Sequence, residues 1–193
     1  MKKPIVYYRE RALKKHSLHL KMGDLFEKVI KESNSWCKLI RDEACGGDQH
    51  IPLFVEPKKS RQTEYCNVDL IVLCNNKIRI IVEIEESNIK PTQVCGKFFT
   101  AALSKYFIHE STNDEPIKMD EKVTFIQFLD ISKLKRGKTS KIEQWKNIEN
   151  SIKEIIPLKG SKMGAYKIFD LNVTDLDDEE KGNIIKKYIL ENL

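Results

Sequence analysis

VDLIVLCNNKIRIIVEIEES, residues 68–87, decides the reading of this chain. Two β-branched, apolar runs flank Asn75-Asn76, and asparagine tolerates the positive φ of a tight turn, so the stretch predicts a β-hairpin. Its second strand closes on Glu83, Glu85 and Glu86, and Asp69 opens the first. Buried carboxylates are costly unless something compensates them. Side chains alternate along a strand, so Glu83 and Glu85 share a face, whereas Glu86 points away and reads as structural. Register decides whether Asp69 joins them. A three-residue loop, Asn75 to Lys77, sets Asp69 opposite Glu83; a two-residue loop sets it opposite Val82 unless a bulge intervenes.

Working outward, residues 9–33 read as an amphipathic helix with Leu18, Met22, Leu25, Phe26, Val29 and Ile30 on one stripe. A looser region follows, with a short strand at 50–55. After the hairpin, Pro91 and Thr92 open a helix to about Ile108. VTFIQFLDI (123–131) is a buried strand, 141–156 a helix, 165–173 a strand and 177–192 a closing helix. Asp175, Asp177 and Asp178 suit the start of that last helix through capping and the helix dipole. The order predicts an α/β fold in one domain over 1–193: a mixed sheet flanked by helices on both faces, because strands apolar on both sides need two covers.

Composition bounds the rest. Hydrophobic residues make up 40% and charged residues 33%, which excludes a disordered chain. No apolar run is long enough to span a membrane, and MKKPIVYYRERALKK (1–15) lacks the apolar segment of a signal peptide, so a cytoplasmic location is expected. Five cysteines without a C-x-x-C pair read as free thiols. The net charge of +5 collects in residues 1–21 and in KLKRGKTSK (133–141). Either a polyanionic partner, nucleic acid foremost, or an ordinary lysine-rich surface accounts for it. Lys133, Lys135, Arg136 and Lys138 are the candidate DNA-backbone contacts; Ser132 stands where a phosphate loop would need its first glycine. His16 and His19 lack partners for a zinc pattern and read as ordinary face residues, and Trp36 and Trp145 read as core.

If Asp69 and Glu83 do face each other, their Cβ atoms lie about 5 Å apart. Their charges then repel by about 3 kcal/mol at an effective dielectric near 20. A hard divalent cation relieves that repulsion, and Mg²⁺ needs only one or two carboxylates besides water and phosphate oxygens. Salt bridges from Arg79, Lys90 or Lys97 are the competing relief.

Asp69, a hairpin, then Glu83-Ile84-Glu85 resembles the catalytic signature of PD-(D/E)xK nucleases in its Glu-x-Glu variant. The resemblance implies a restriction-endonuclease-like αβββαβ core over about 9–131, with 132–193 as a C-terminal α-β-α extension. It implies Mg²⁺, replaceable by Mn²⁺, on Asp69, Glu83 and the Ile84 carbonyl. Glu85, standing where the family keeps lysine, would bind a second metal or activate the attacking water, and Lys97 would supply the missing positive charge. Gly23-x-x-x-Glu27 resembles the family's first-helix glutamate, which makes Glu27 an accessory site residue, with Gln93 positioning phosphate. Val68-Asp69 departs from the family's Pro-Asp. In size the chain looks most like the small cleavage subunit of a heterodimeric type IIS restriction endonuclease. That implies a bacterial cytoplasmic hydrolase acting on double-stranded DNA beside a larger, sequence-recognising nickase subunit, with a transient homodimer as another route to cutting both strands. The alternative is a non-catalytic nucleic-acid-binding or assembly module on a degenerate nuclease fold.

Overall fold

Asn75 and Asn76 both adopt positive φ, 52° and 57°, and Cys74 pairs directly with Lys77 across them. This two-residue turn seeds the sheet, since such turns match the natural twist of paired strands. The computed structural model describes residues 17–33, 35–87, 89–134 and 139–193. Helix α1 spans Ser17–Glu32, followed by strands β1 (Cys37–Arg41), β2 (Pro52–Phe54), β3 (Glu64–Asn67), β4 (Leu70–Cys74) and β5 (Lys77–Glu85). Then come α2 (Pro91–Leu103), β6 (Tyr106–Phe107), β7 (Ile117–Asp130), α3 (Thr139–Ile155), β8 (Met163–Leu171) and α4 (Glu179–Glu191). The fold is α/β, and among the described residues no helix is long and apolar enough to cross a membrane.

The eight strands form one mixed sheet in the order β1-β4-β5-β7-β6-β2-β3, with β8 also paired to β7. β1 pairs antiparallel with β4, and β4 with β5; β7 is parallel to β5, and β8 parallel to β7. A parallel step needs a crossover, and α2 lies within the one between β5 and β7. The 50–55 strand becomes β2, which pairs with β3 and β6 instead of beside the hairpin. The strand flanking β4 is β1, whose polar residues and short length hid it in the sequence.

Strand alternation sorts the core into two layers. Ile71, Ile81, Phe125, Leu129 and Tyr166 face α2 and α3 through Val94, Phe98, Trp145 and Ile152. Leu70, Val72, Ile80, Val82 and Phe128 face α1 and α4 through Leu18, Met22, Phe26, Ile185 and Ile189. Each such side chain fully buried contributes about 1.5–3 kcal/mol. Phe98 sets its edge against Phe125 and Tyr166, with ring centroids 5.6 and 5.0 Å away, and so fixes α2 over the first layer. β8 and α4 belong to the same sheet and core as the hairpin.

Three expectations fail here. The helix opened by Pro91 ends at Leu103, short of Ile108, and Tyr106–Phe107 pair as β6. Cys37 and Cys74 form a disulfide, their Cα atoms 4.2 Å apart, instead of remaining free thiols. They are register partners on β1 and β4, a juxtaposition that their separation of 37 residues conceals. Trp36 is 92% exposed at the approach to β1, whereas Trp145 is in the core as expected. Residues 9–16, with His16, and the basic residues Lys135, Arg136 and Lys138 lie outside the described residues.

Candidate functional site

The hairpin resolves the register question through the second of the two alternatives, a two-residue loop with a bulge. Its loop has two residues, but the pairing shifts between Leu73↔Ile78 and Val72↔Ile80, so Arg79 is an extra residue. That bulge restores the alignment. Leu70 meets Val82, and the Asp69 N–H reaches the Val82 carbonyl at 3.2 Å, which brings Asp69 level with Glu83. Asp69 Oδ2 accepts the Ile84 N–H at 2.6 Å, tying the first acid to the end of β5.

Glu83 and Glu85 continue the face of Ile81, beneath α2, and are 1% and 7% exposed. Gln93 and Lys97, one turn apart on α2, reach down to them. Lys97 Nζ lies 2.5 Å from Glu83 Oε2 and 2.7 Å from Glu85 Oε1, and Gln93 Nε2 donates to Glu85 Oε2 at 2.6 Å. Thr100 on α2 and Ser104, its C-cap, turn their hydroxyls back onto helix carbonyls. The Cys66 thiol lies beside them, and burial and the Glu83 charge push it up to about 11.

Burial first and Asp69 second push the Glu83 carboxyl well above the usual carboxylate range, with Lys97 opposing. Burial pulls the Lys97 ammonium down, but the charges of Glu83 and Asp69 outweigh it and raise it above the ordinary lysine value. With all three carboxylates ionised, one ammonium leaves two negative charges in excess, and the raised Glu83 carboxyl reflects that crowding, so Lys97 relieves the cluster only in part. Glu83 Oε1 is buried with no donor group in reach, although contact with the Asp69 carboxyl also raises Glu83; Glu85 Oε1 has the Lys97 ion pair but no aligned hydrogen bond. Among the described residues no three His, Cys, Asp or Glu side chains converge as a ready-made metal cage. A hydrated Mg²⁺ asks less, and carboxylate oxygens are the donors it prefers. The excess charge and the orphaned Glu83 oxygen therefore fit such a cation on Asp69 and Glu83.

α1 contributes a residue other than the expected one. Glu27 pairs with Lys31 at 2.8 Å and with Arg41 at 3.2 Å. Glu86 Oε1 instead accepts the N–H groups of Leu18 and His19 and lies 2.7 Å from His19 Nδ1, capping the helix start. His19 Nε2 stands 3.8 Å from Asp69 Oδ2. Burial lowers the His19 pKa, yet the bond to Glu86 and the charge of Asp69 raise it overall. Eight residues separate His19 from Glu27, about 12 Å of helix, so Glu27 is carried away from the acids. Gly23 has a separate, structural reason: a Cβ there would lie 2.2 Å from the Cys45 carbonyl, which packs against α1.

Lys133, exposed, donates to the Glu86 carbonyl at 3.1 Å and so sits at the rim of this end of the sheet. A surface hollow lined by Asp24, Glu27, Lys28, Lys31 and Glu32 lies elsewhere on α1 and holds solvated ion pairs. Sequence reasoning missed His19, whose partners come from the far ends of the hairpin, and Gln127. The signal for Gln127 was present: an amide in the middle of the apolar strand FIQFL. No family model, no curated protein and no solved structure matches the chain.

Proposed function

We propose that the chain is a Mg²⁺-dependent endodeoxyribonuclease with a restriction-endonuclease-like core, hydrolysing one strand of duplex DNA as the cleavage subunit of a restriction system. The observation that carries the reading is Glu83: fully buried, one oxygen on Lys97 and the other orphaned, level with Asp69. The order α1-β1-β4-β5-α2-β7, with β7 parallel to β5, supports the αβββαβ core that the reading requires.

Asp69 and Glu83 would hold the cation, with the Ile84 carbonyl as a further oxygen donor. When bound, the cation polarises the scissile phosphate and lowers the pKa of a bound water. Lys97, already positioned between Glu83 and Glu85, offers N–H donors to the phosphate oxygens where charge develops. Glu85, oriented by Gln93, lines up the attacking water and takes its proton. One constellation cuts one strand. A double-strand break then calls for a larger nickase subunit that also reads the sequence, or for a second copy of this chain. Lys133 at the rim extends a basic path toward the DNA backbone.

The experiment is incubation of the purified chain with plasmid and Mg²⁺, alone and with the protein encoded beside it. Asp69→Asn and Glu83→Gln should each reduce cleavage to background while circular dichroism stays unchanged. Wild-type activity in either variant overturns the assignment. A second reading, a non-catalytic nucleic-acid-binding module, draws on Lys97 already bridging both glutamates. Mn²⁺ titration separates the two: the enzyme binds the ion through Asp69 and Glu83, and the module does not.

A further inference from the structure

A second orphaned polar group lies beside the first. Gln127, fully buried in the middle of β7, is the register partner of Glu83 on β5. Neighbouring strands lie about 4.8 Å apart, and register partners share a face, so amide and carboxylate stand side by side. The Tyr166 hydroxyl on β8 donates to Gln127 Oε1. Tyr166 is itself fixed, stacked on Phe125 at 6.0 Å and set against Phe98 at 5.0 Å. An amide whose oxygen is taken in this way must turn its NH₂ elsewhere. Gln127 Nε2 is buried without a hydrogen-bond partner, as is Glu83 Oε1. An unmatched donor and an unmatched acceptor, each costly alone, occupy adjacent positions on one face. Packing does not call for this arrangement, because leucine would fill the same space without an orphaned nitrogen.

We propose that Gln127, oriented by Tyr166, is a positioning residue for Glu83: its amide N–H, which does not bond the carboxylate directly, steadies it through a bridging water shared by the two unmatched atoms, so that Glu83 presents one oxygen reproducibly to a hydrated divalent cation. The cation half of this inference rests on the reading given above, whereas the link between Gln127 and Glu83 does not. Thermal unfolding of wild type, Gln127→Leu, Glu83→Gln and the double variant tests the link. The Tm changes should be non-additive by at least about 2 °C. Mn²⁺ binding, followed by electron paramagnetic resonance, tests the consequence. Affinity should fall about tenfold in Gln127→Leu with circular dichroism unchanged, as for other groups that orient metal ligands. Tyr166→Phe should lose about threefold, and it takes the place of Gln127→Leu in both measurements if that variant does not fold. Additive Tm changes overturn the proposal, and so does wild-type Mn²⁺ affinity in the folded variant. If the wild type binds no Mn²⁺, the cation reading fails, and the unfolding cycle alone decides whether Gln127 holds Glu83.

Discussion

Lys97 shows how far single residues can be read. Its spacing from Gln93, one turn on a polar stripe, marked both as facing the hairpin acids, and both reach them. Glu27 was misplaced because the spacing of a helix says which residues share its face but not which turn crosses the sheet. Here the first turn of α1 crosses near Asp69, and the third does not. Lys97 also gives a prediction that does not depend on catalysis. Lys97→Met leaves Glu83 and Glu85 buried without their cation, and breaking a buried pair in this way costs about 3–5 kcal/mol at full burial. The Lys97 side chain is 30% exposed, so a loss of about 2–4 kcal/mol is expected near pH 8. The loss should shrink as pH falls, because the Glu83 carboxyl, already raised, takes a proton ahead of an ordinary carboxylate and then no longer needs a counter-charge. Urea unfolding across a pH series measures it. A penalty independent of pH would mean that Lys97 serves only as packing.

At the scale of elements, the hairpin was legible from its Asn-Asn turn and β-branched strands, but its bulge was not. No residue type announces that Arg79 will be the extra residue; its side chain reaches the Leu193 carbonyl and Asp120, partners far away in sequence. β1, β3 and β6 were missed because short or exposed strands carry too little apolar pattern. Asn76 tests the turn. Asn76→Val forces a β-branched residue to a φ of 57° and should cost about 1–2 kcal/mol in urea unfolding, whereas Asn76→Gly should cost nothing measurable. Of the acidic cluster before α4, only Asp178 caps that helix as expected, accepting from the N–H groups of Glu180 and Lys181. Asp175 accepts the Asn172 N–H at the start of the preceding 3₁₀ turn, Val173–Leu176, and Asp177 pairs with Lys21. Burial raises the Asp175 carboxyl, but the Asn172 N–H and the Lys181 ammonium outweigh it and hold it below its usual value. Its stabilisation is therefore present above the unfolded-state pKa and lost as pH falls through the folded one. Asp175→Ala should cost about 1 kcal/mol at pH 7, and the cost should fall away in acid as the depressed carboxyl takes its proton. A cost that persists in acid would assign Asp175 to packing instead.

Across the whole molecule, the two layers were readable because β4 and β5 are apolar on both faces, which demands a cover on each side. What pattern could not supply was the long-range pairing of β1 with β4, and with it the Cys37–Cys74 bond. That bond joins the edge strand β1 to the sheet at the turn end of the hairpin, whereas the acids lie at the other end. Five residues of strand separate Cys74 from Asp69, about 17 Å. Closing a loop of 37 residues stabilises a chain by about 4 kcal/mol in the chain-entropy account. Reduction, or Cys37→Ser with Cys74→Ser, should therefore lower Tm on the order of 10 °C in a domain of this size. The arrangement of Asp69, Glu83 and Lys97 depends on the register of β4 with β5 and on the seat of α2, neither of which needs the bond. Mn²⁺ affinity measured well below the lowered Tm should therefore be the same in the reduced and oxidised protein. Loss of metal binding on reduction, with β-sheet circular dichroism intact, would show instead that β1 sets the position of Asp69. A backbone link through which it could do so is the hydrogen bond from the Asp42 N–H, just past β1, to the Asp69 carbonyl at 3.0 Å.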